Sequence, residues 1–558
     1  MKLVECVPNF SEGRDLEKIQ KITKEIEATE LVTLLDVDPG ESTNRTVVTF
    51  IGTPEGVKTA AFKAIKKAAE VIDMTKQKGA HSRIGATDVC PFVPVSGVTM
   101  EDCIRLANEL GKKVASELGI PVYLYEEAAR RPDRKNLANI RIGEYEGLPA
   151  KLQNPEWIPD FGKPVFNPKA GATVIGAREF LIAYNINLNT SDRKLAHHIA
   201  LNLREKGRAK RDNKGKIIRD KDGKAVFVPG KFKEVKAVGW YIKDYGIAQI
   251  SVNFTNYKIS PPHLVFDAAV KEAERIGLRV TGSELVGLIP KQAMLMAGRY
   301  YLDKMGKSTG VPDEELIRSA VLSLGLNDVA AFDPKKKIIE CQFTDIKDSL
   351  VDLNLREFFN ELSLDSPAPG GGSVAALCGA LSASLSSMVS NLTVGKDGYE
   401  NVQKKVKNLA VTAQALKDGF LKAVDLDTLA FRKVMETFSM PKKTENQRKE
   451  RAEALEIATK EATSVPLEVL EKSLEAIKIA TEVALYGNKN SISDAGVAGL
   501  TAQTAAEAAF YNVQINLPDI QDKAFKSGVK KRAASLKKKV IERSSKLRDV
   551  IEKNLAMP

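Results

Sequence analysis

Two places in the chain put proton-handling side chains where chemistry can use them. The first is Lys78-Gly-Ala-His-Ser-Arg-Ile-Gly-Ala-Thr-Asp88, between the end of a helical pattern and an apolar extended run that begins near Val89. His81 is one of four histidines in 558 residues, and imidazole gives and takes protons near neutral pH without a large perturbation. Arg83 and Asp88 share its loop, while Asp36, Asp38 and Arg45 fall at or in another strand-connecting loop. Arginine holds a carboxylate through two parallel hydrogen bonds, which lysine does less well. A histidine with an oriented carboxylate is the minimal general acid–base device. The plainer reading is a loop histidine bonding backbone, with the others as turn and cap residues; for Asp38 and Thr43 that reading is strong.

The second place is Asp427. On the helical pattern from about Gln403 to Thr437, an apolar stripe runs through Val406, Ala410, Ala413, Leu416, Phe420, Ala423 and Val424. One turn on it meets Asp427, then Ala430, Phe431 and Val434. A carboxylate on that face is expected to be desolvated and its pKa raised towards a useful range, or else paired with a buried partner. Asp425 aligns instead with Asp418 and Arg432, a more polar face. Upstream, Gly370, Gly371, Gly372 and Ser373 precede a helix of small residues, Val374–Met388. Glycines ahead of a helix leave backbone N–H groups open to an anion or a close ligand; a tight turn explains them equally well.

The elements that must position these groups differ between the two halves. The first half alternates strands and amphipathic helices: Leu3–Phe10, a helix to about Ile26, strands at Leu31–Val37 and Thr46–Gly52, a helix over Glu55–Val71 and a strand over Val89–Val95. That β-α-β-β-α-β order is the split βαβ, ferredoxin-like unit, and a helix (Met100–Leu118) and strand (Pro121–Tyr125) follow it. Similar grammar restarts near Phe180 after a loop-rich stretch. Beyond Leu355 strand patterns almost vanish and helical periodicity rich in Ala, Leu, Lys and Glu takes over. The expectation is an α/β fold of two ferredoxin-like lobes, 1–178 and 179–326, a linker over 327–350, and a separate all-α domain over 351–558.

Size and composition narrow the class. A chain of 558 residues exceeds a single core. No apolar run is read as long enough to span a bilayer, and a strand at Lys2-Leu-Val-Glu-Cys-Val replaces a signal-peptide pattern, so a cytoplasmic protein is expected. The five cysteines form no CxxC pair, which suggests neither a disulfide framework nor a structural zinc site. The net charge of +12 suits nucleic acid or a small polyanionic substrate. Part of the excess sits in Lys206–Lys236, a polar run with few aromatics that reads as an inserted solvated loop, which leaves nucleic acid the weaker alternative.

At this point the residues carry a resemblance. Val4-Glu-Cys-Val-Pro-Asn-Phe-Ser-Glu-Gly13, Leu35-Asp-Val-Asp-Pro-Gly-Glu-Ser-Thr-Asn-Arg-Thr46, the His81 stretch and Pro121-Val-Tyr-Leu-Tyr125 resemble the formiminotransferase domain of formimidoyltransferase-cyclodeaminases. Pro367-Ala-Pro-Gly-Gly-Gly-Ser-Val-Ala-Ala376, Val424-Asp-Leu-Asp-Thr-Leu-Ala-Phe431, Ser464-Val-Pro-Leu467 and Asn512-Val-Gln-Ile-Asn-Leu517 are similar to the cyclodeaminase half of the same family. The resemblance implies transfer of a formimidoyl group from N-formimidoyl-L-glutamate to tetrahydrofolate, then closure to 5,10-methenyltetrahydrofolate with loss of ammonia. It implies His81 and Asp427 as catalytic, and a folate-contacting segment at Gly162, Lys163, Phe166, Pro168, Lys169, Ala170 and Gly171. It further implies a homo-oligomer whose helical domains pair; no metal and no membrane or nucleic-acid partner is expected. Arg45 or Arg83 is the expected holder of the glutamate carboxylates. The rival readings are a formyl donor with a drifted second domain, and a non-catalytic basic scaffold.

Overall fold

A computed structural model of the chain describes residues 2–41, 44–79, 82–243, 245–342 and 349–556. His81 and Thr43 lie outside the described residues. Two compact units emerge, residues 1–297 with 321–345, and residues 298–320 with 346–558.

The first unit opens with β1 (Leu3–Cys6), β2 (Asn9–Phe10), α1 (Leu16–Glu27), β3 (Val32–Gly40), β4 (Arg45–Gly52), α2 (Pro54–Val71) and β5 (Thr87–Ser96). β1 lies between β4 and β5, with β3 outside β4, all antiparallel; this is the ferredoxin-like order. α3 (Met100–Leu118), β6 (Val122–Glu126), α4 (Leu137–Ile140), α5 (Glu144–Gln153) and β7 (Thr173–Ala177) follow. β7 joins β5 and β6 in parallel, so the sheet is mixed. Local signals set the helix ends. Thr53 caps α2 ahead of Pro54, and a Thr99–Asp102 capping box starts α3, which Gly119 ends at φ 62°.

Strand alternation divides the sheet's residues between two environments. Val4, Cys6, Val48, Phe50, Cys90 and Phe92 are wholly buried against α1, α2 and α3, each large side chain contributing about 1.5–3 kcal/mol by burial. On the other face, Ile84, Val89, Tyr123, Tyr125, Ile140, Leu148, Leu152 and Val174 form a smaller core that roofs the β5–β7–β6 side. The β3–β4–β1 side of that face is left for a cleft.

The second lobe contains β8 (Ile182–Leu188), α6 (Arg193–Leu203), β9 (Arg208–Ala209), β10 (Phe227–Val228), β11 (Val235–Ile242), β12 (Ile247–Phe254), α7 (Pro262–Glu274) and β13 (Val280–Val286). Its sheet runs β11-β12-β8-β13, wholly antiparallel, again the ferredoxin-like order. The basic run expected as a loop is an arm in which β9 and β10 pair. α8 (Lys291–Lys304), α9 (Asp313–Leu324) and α10 (Pro334–Lys337) come next. Part of the expected linker is core: Ile338 and Ile339 are fully buried, and Ile338 bridges Ile289 in parallel.

The helical unit contains α11 (Leu355–Leu362), α12 (Gly371–Asn391), α13 (Gln403–Phe438), α14 (Glu445–Tyr486), α15 (Ile492–Asn516) and α16 (Lys523–Leu555). α12 packs on α13, α14 and α15, and its small residues permit that approach. A Cβ at Gly379 would come within 2.4 Å of the Phe420 ring. With 21 residues and a mean hydropathy of 1.5, α12 is long and apolar enough to cross a membrane. That corrects the expectation that no run reaches this length; the helix is mostly buried among its neighbours, as a core helix is.

Candidate active sites

Between the uncovered face of the first sheet and β8 and β13 of the second lobe, a cleft of about 910 Å³ is lined by Glu5, Asn9, Asp36, Asp38, Arg45, Tyr125, Arg141 and Arg178, with Ala183 and Val286 opposite. Strand alternation aims the first of these there: Glu5 and Asn9 face the cleft between the buried Val4, Cys6 and Phe10, as Arg45, Val47 and Thr49 do between Thr46 and Val48. Arg45 Nε donates to Asn9 Oδ1 at 2.9 Å. Burial lowers the Arg45 pKa to about 10, the Asp88 carboxylate working against that and the Arg141 guanidinium with it. Burial and the neighbouring Asp38 raise the Asp36 carboxyl. Asp38 is exposed at the rim.

The loop that carries His81 in sequence is described from Ser82 onward. Asp88 Oδ1 accepts the Ile84 N–H at 3.0 Å, while Asp88 Oδ2 pairs with the Arg141 guanidinium. Arg83 is 6% exposed and bonds Glu144 at 3.0 Å, Glu146 at 2.7 Å and Gln77 Oε1 at 2.7 Å. It fastens the loop to the turn at 141–146 and is absent from the cleft lining. On the other flank, Asn44 Nδ2 donates to the Lys78 carbonyl at 2.9 Å and Asn44 Oδ1 accepts from Gly13 N at 3.0 Å.

The segment expected to meet folate lies against the same loop. Ala86 N donates to the Ala170 carbonyl at 2.8 Å, and Ala172 N to the Ile84 carbonyl at 3.0 Å. Gly171, at φ 70°, is needed there: a Cβ would sit 2.3 Å from the Ile84 oxygen. The Phe166 ring is 5.6 Å from Tyr145, whose hydroxyl donates to the Pro168 carbonyl at 2.5 Å. Lys169 Nζ donates to the Glu70 carbonyl at 2.7 Å. Gly162 adopts φ 89° beside Ala115, and Lys163 is exposed.

Sequence reasoning missed Glu5, Asn9, Arg141 and Arg178. The strand alternation of Glu5 and Asn9, polar positions facing away from Val4 and Cys6, carried a usable signal. Arg141 sits in irregular chain and carried none. Glu5 is 2% exposed, and burial raises its carboxyl to about 8, with Arg178 pulling it down and Glu340 adding to the rise.

In the helical unit the predicted residues come together. Gly370, Gly371 and Gly372 occupy the N-cap and first two positions of α12, whose opening N–H groups have no acceptor within the helix. Asp427 on α13 faces them. A Cβ on Gly372 would lie 2.1 Å from Asp427 Oδ1, so any larger residue there must displace the carboxyl. Ser373 Oγ lies 3.0 Å from the Val424 carbonyl, 3.3 Å from Asp427 Oδ2 and 3.3 Å from Thr428 Oγ1. Burial raises the Asp427 pKa, against two hydrogen bonds from Ser373 that lower it. Asn512 of α15 completes the neighbourhood, its amide 3.5 Å from where a Gly371 Cβ would be. A half-buried carboxylic acid beside open N–H donors can protonate a leaving nitrogen while the helix end steadies developing negative charge.

Asp425 departs from expectation. It is 5% exposed and accepts from Leu350 N at 2.7 Å and Ser349 Oγ at 2.9 Å. The face read as polar is covered by chain 75 residues away in sequence. Among the described residues no group of acidic, cysteine and histidine side chains could hold a metal ion.

Comparison with known proteins agrees with both halves. Residues 3–178 match the formiminotransferase domain, N-terminal subdomain; 183–344 match the formiminotransferase domain; and 354–535 match formiminotransferase-cyclodeaminase. The formimidoyltransferase-cyclodeaminase of Mus musculus is 44% identical over 537 residues, 96% of each chain. That of Gallus gallus is 42% identical over 557 residues, 100% of each chain. The glutamate formimidoyltransferase of Thermoplasma acidophilum is 46% identical over 312 residues, 56% of this chain and 95% of its own. Matched along its whole length and in both halves, the chain belongs to the formimidoyltransferase-cyclodeaminase family.

Proposed function

We propose that the chain catalyses two consecutive folate reactions. In the first, N5 of tetrahydrofolate attacks the formimidoyl carbon of N-formimidoyl-L-glutamate. N5 gives up a proton, the bond to the glutamate nitrogen breaks, and that nitrogen leaves protonated. His81 is the residue assigned to both proton movements. Arg45, held by Asn9 in the cleft, binds a carboxylate, and Phe166–Gly171 supports the folate.

In the second reaction N10 adds to the formimidoyl carbon and its proton passes to the former imino nitrogen; a second proton, from Asp427, turns that nitrogen into a leaving group, and the carbon–nitrogen bond breaks to release ammonia and leave 5,10-methenyltetrahydrofolate. The observation that carries this assignment is the approach of its carboxyl to Gly372 at the start of α12, where burial keeps the acid form available at higher pH. Assay of both products with N-formimidoyl-L-glutamate and tetrahydrofolate tests the proposal: Asp427→Ala is expected to transfer the group and release no ammonia.

The helical units are assigned to pair in a homo-oligomer. Val497, Leu500, Tyr511 and Ile515 lie along one side of α15 and are 47%, 54%, 61% and 73% exposed, an apolar stripe at helical spacing that supports this reading. Light scattering on the wild type and on Leu500→Glu/Ile515→Glu tests it: a smaller particle for the variant supports pairing through α15, and an unchanged mass refutes it.

A further inference from the structure

We infer that Arg141, together with Arg45, forms a two-armed clamp for a carboxylate of the amino-acid donor, making Arg141 a specificity-determining residue of the transfer reaction. The inference rests on the function proposed above.

The geometry begins with backbone. Arg141 ends the short helix α4, its N–H bonded to the Leu137 carbonyl at 3.1 Å. Lys151 Nζ holds the carbonyls of Ile140 and Ile142 at 2.6 Å each, which fixes the turn on both sides of the arginine. Glu144 and Glu146, in the first turn of α5 just beyond it, hold Arg83. The side chain of Arg141 therefore leaves a rigid base and enters the cleft 15% exposed.

Charge then points to an anion. Arg45 and Arg141 both line the cleft, and the like charge of Arg141 works with burial to lower the Arg45 pKa. Asp88 is the carboxylate that acts on Arg45 and pairs with Arg141. Asp88 also accepts the Ile84 N–H, so one carboxylate serves two guanidinium groups and a backbone donor. A carboxylate set against the two guanidinium groups would offset their like charges and accept the paired N–H geometry that guanidinium offers.

Both substrates carry carboxylates, and chemistry favours the donor. Its carboxylates stand within a few bonds of the transferred group, whereas those of a folate tail lie beyond a benzoyl ring. The clamp is built on Asp88, near the start of β5, and the Asp88 carboxylate accepts the Ile84 N–H next to the Phe166–Gly171 segment. A donor held there lies beside the segment assigned to folate.

The test compares wild type with Arg141→Lys and Arg141→Gln, circular dichroism showing which variants fold. Donors are N-formimidoyl-L-glutamate and the formimidoyl derivatives of 4-aminobutyrate and 2-aminobutyrate, each lacking one carboxylate. The expected result is a KM for the full donor raised about 10-fold or more, a KM for tetrahydrofolate within about 2-fold of wild type, and little change in kcat. Wild type should reject one truncated donor strongly, and Arg141→Gln should lose that discrimination, which a purely structural residue would not alter. Calorimetry with L-glutamate, the leaving product, reads the clamp without turnover: a several-fold weaker affinity in Arg141→Gln is expected. An unchanged donor KM and unchanged L-glutamate affinity in a folded variant overturns the inference, as does an effect confined to tetrahydrofolate. Absence of transfer by the wild type would instead sink the proposed function, with the L-glutamate measurement still deciding on the clamp.

Discussion

Gly372 and Asp427 meet so closely that the space for a single methyl group at residue 372 is already taken by a carboxylate, 2.1 Å from where that methyl would be. The glycine is therefore a condition of the acid's position. Gly372→Ala is expected to push the Asp427 carboxyl away from the start of α12, cutting ammonia release about 100-fold. Transfer to tetrahydrofolate should continue. Product analysis by chromatography checks this; equal loss of both activities would show a general folding defect.

Asp427 acts as an acid, so ammonia release should fall as pH rises through its burial-raised pKa. Asp427→Asn removes that limb along with most of the rate, about 100-fold or more. The stability of the wild type also falls as pH rises. A carboxyl with a folded pKa above its unfolded value binds extra protons in the native state between the two values, so it costs stability as pH climbs through that window. Asp427→Asn should melt higher than wild type at neutral pH and equal to it below the unfolded value of 3.8. Melting curves at several pH values test the sign.

Asp425 and Asp427 are two residues apart and have opposite duties. Asp425→Ala strips the Leu350 N–H and Ser349 hydroxyl of their acceptor and is expected to cost about 1–3 kcal/mol. Its kcat for ammonia release should remain near wild type, while Asp427→Ala does the reverse. Thermal denaturation set beside steady-state rates separates the two.

Glu5 offers a second pH signature. Its carboxyl is raised from 4.5 to about 8 by burial in the first unit. Wild type therefore loses stability between pH 4.5 and about 8 relative to Glu5→Gln, which has nothing to ionise. A tenfold change in proton affinity on folding is worth about 1.4 kcal/mol, so a gap of a few kcal/mol should open across that range. Urea titrations at pH 5 and pH 8 measure it; a pH-independent difference would show that Glu5 ionises freely.

Much of this was readable in the sequence. The apolar stripe on α13 identified Asp427, because a single helix carries its own periodicity and the stripe faces the core wherever the partners lie. The same reasoning misjudged Asp425, whose burial comes from Ser349 and Leu350, and periodicity is blind to a cover supplied from elsewhere in the chain. Both ferredoxin-like lobes followed from strand and helix order. Ile338 and Ile339 look like linker in the sequence, since an isolated buried pair has no pattern to detect. Arg83 and Arg141 show the limit most sharply: both are arginines outside regular periodicity, and only the turn at 141–146 decides that one fastens a loop and the other enters a cleft.

The central claim is a division of labour, with an imidazole early in the chain moving the one-carbon group and a carboxylic acid late in the chain closing it. The most direct measurement follows N5-formimidoyltetrahydrofolate, 5,10-methenyltetrahydrofolate and ammonia over time in wild type, His81→Ala and Asp427→Ala. His81→Ala should lose transfer yet still convert added N5-formimidoyltetrahydrofolate, and Asp427→Ala should accumulate that intermediate. Ammonia released at the wild-type rate by Asp427→Ala, or transfer undiminished in His81→Ala, would contradict it.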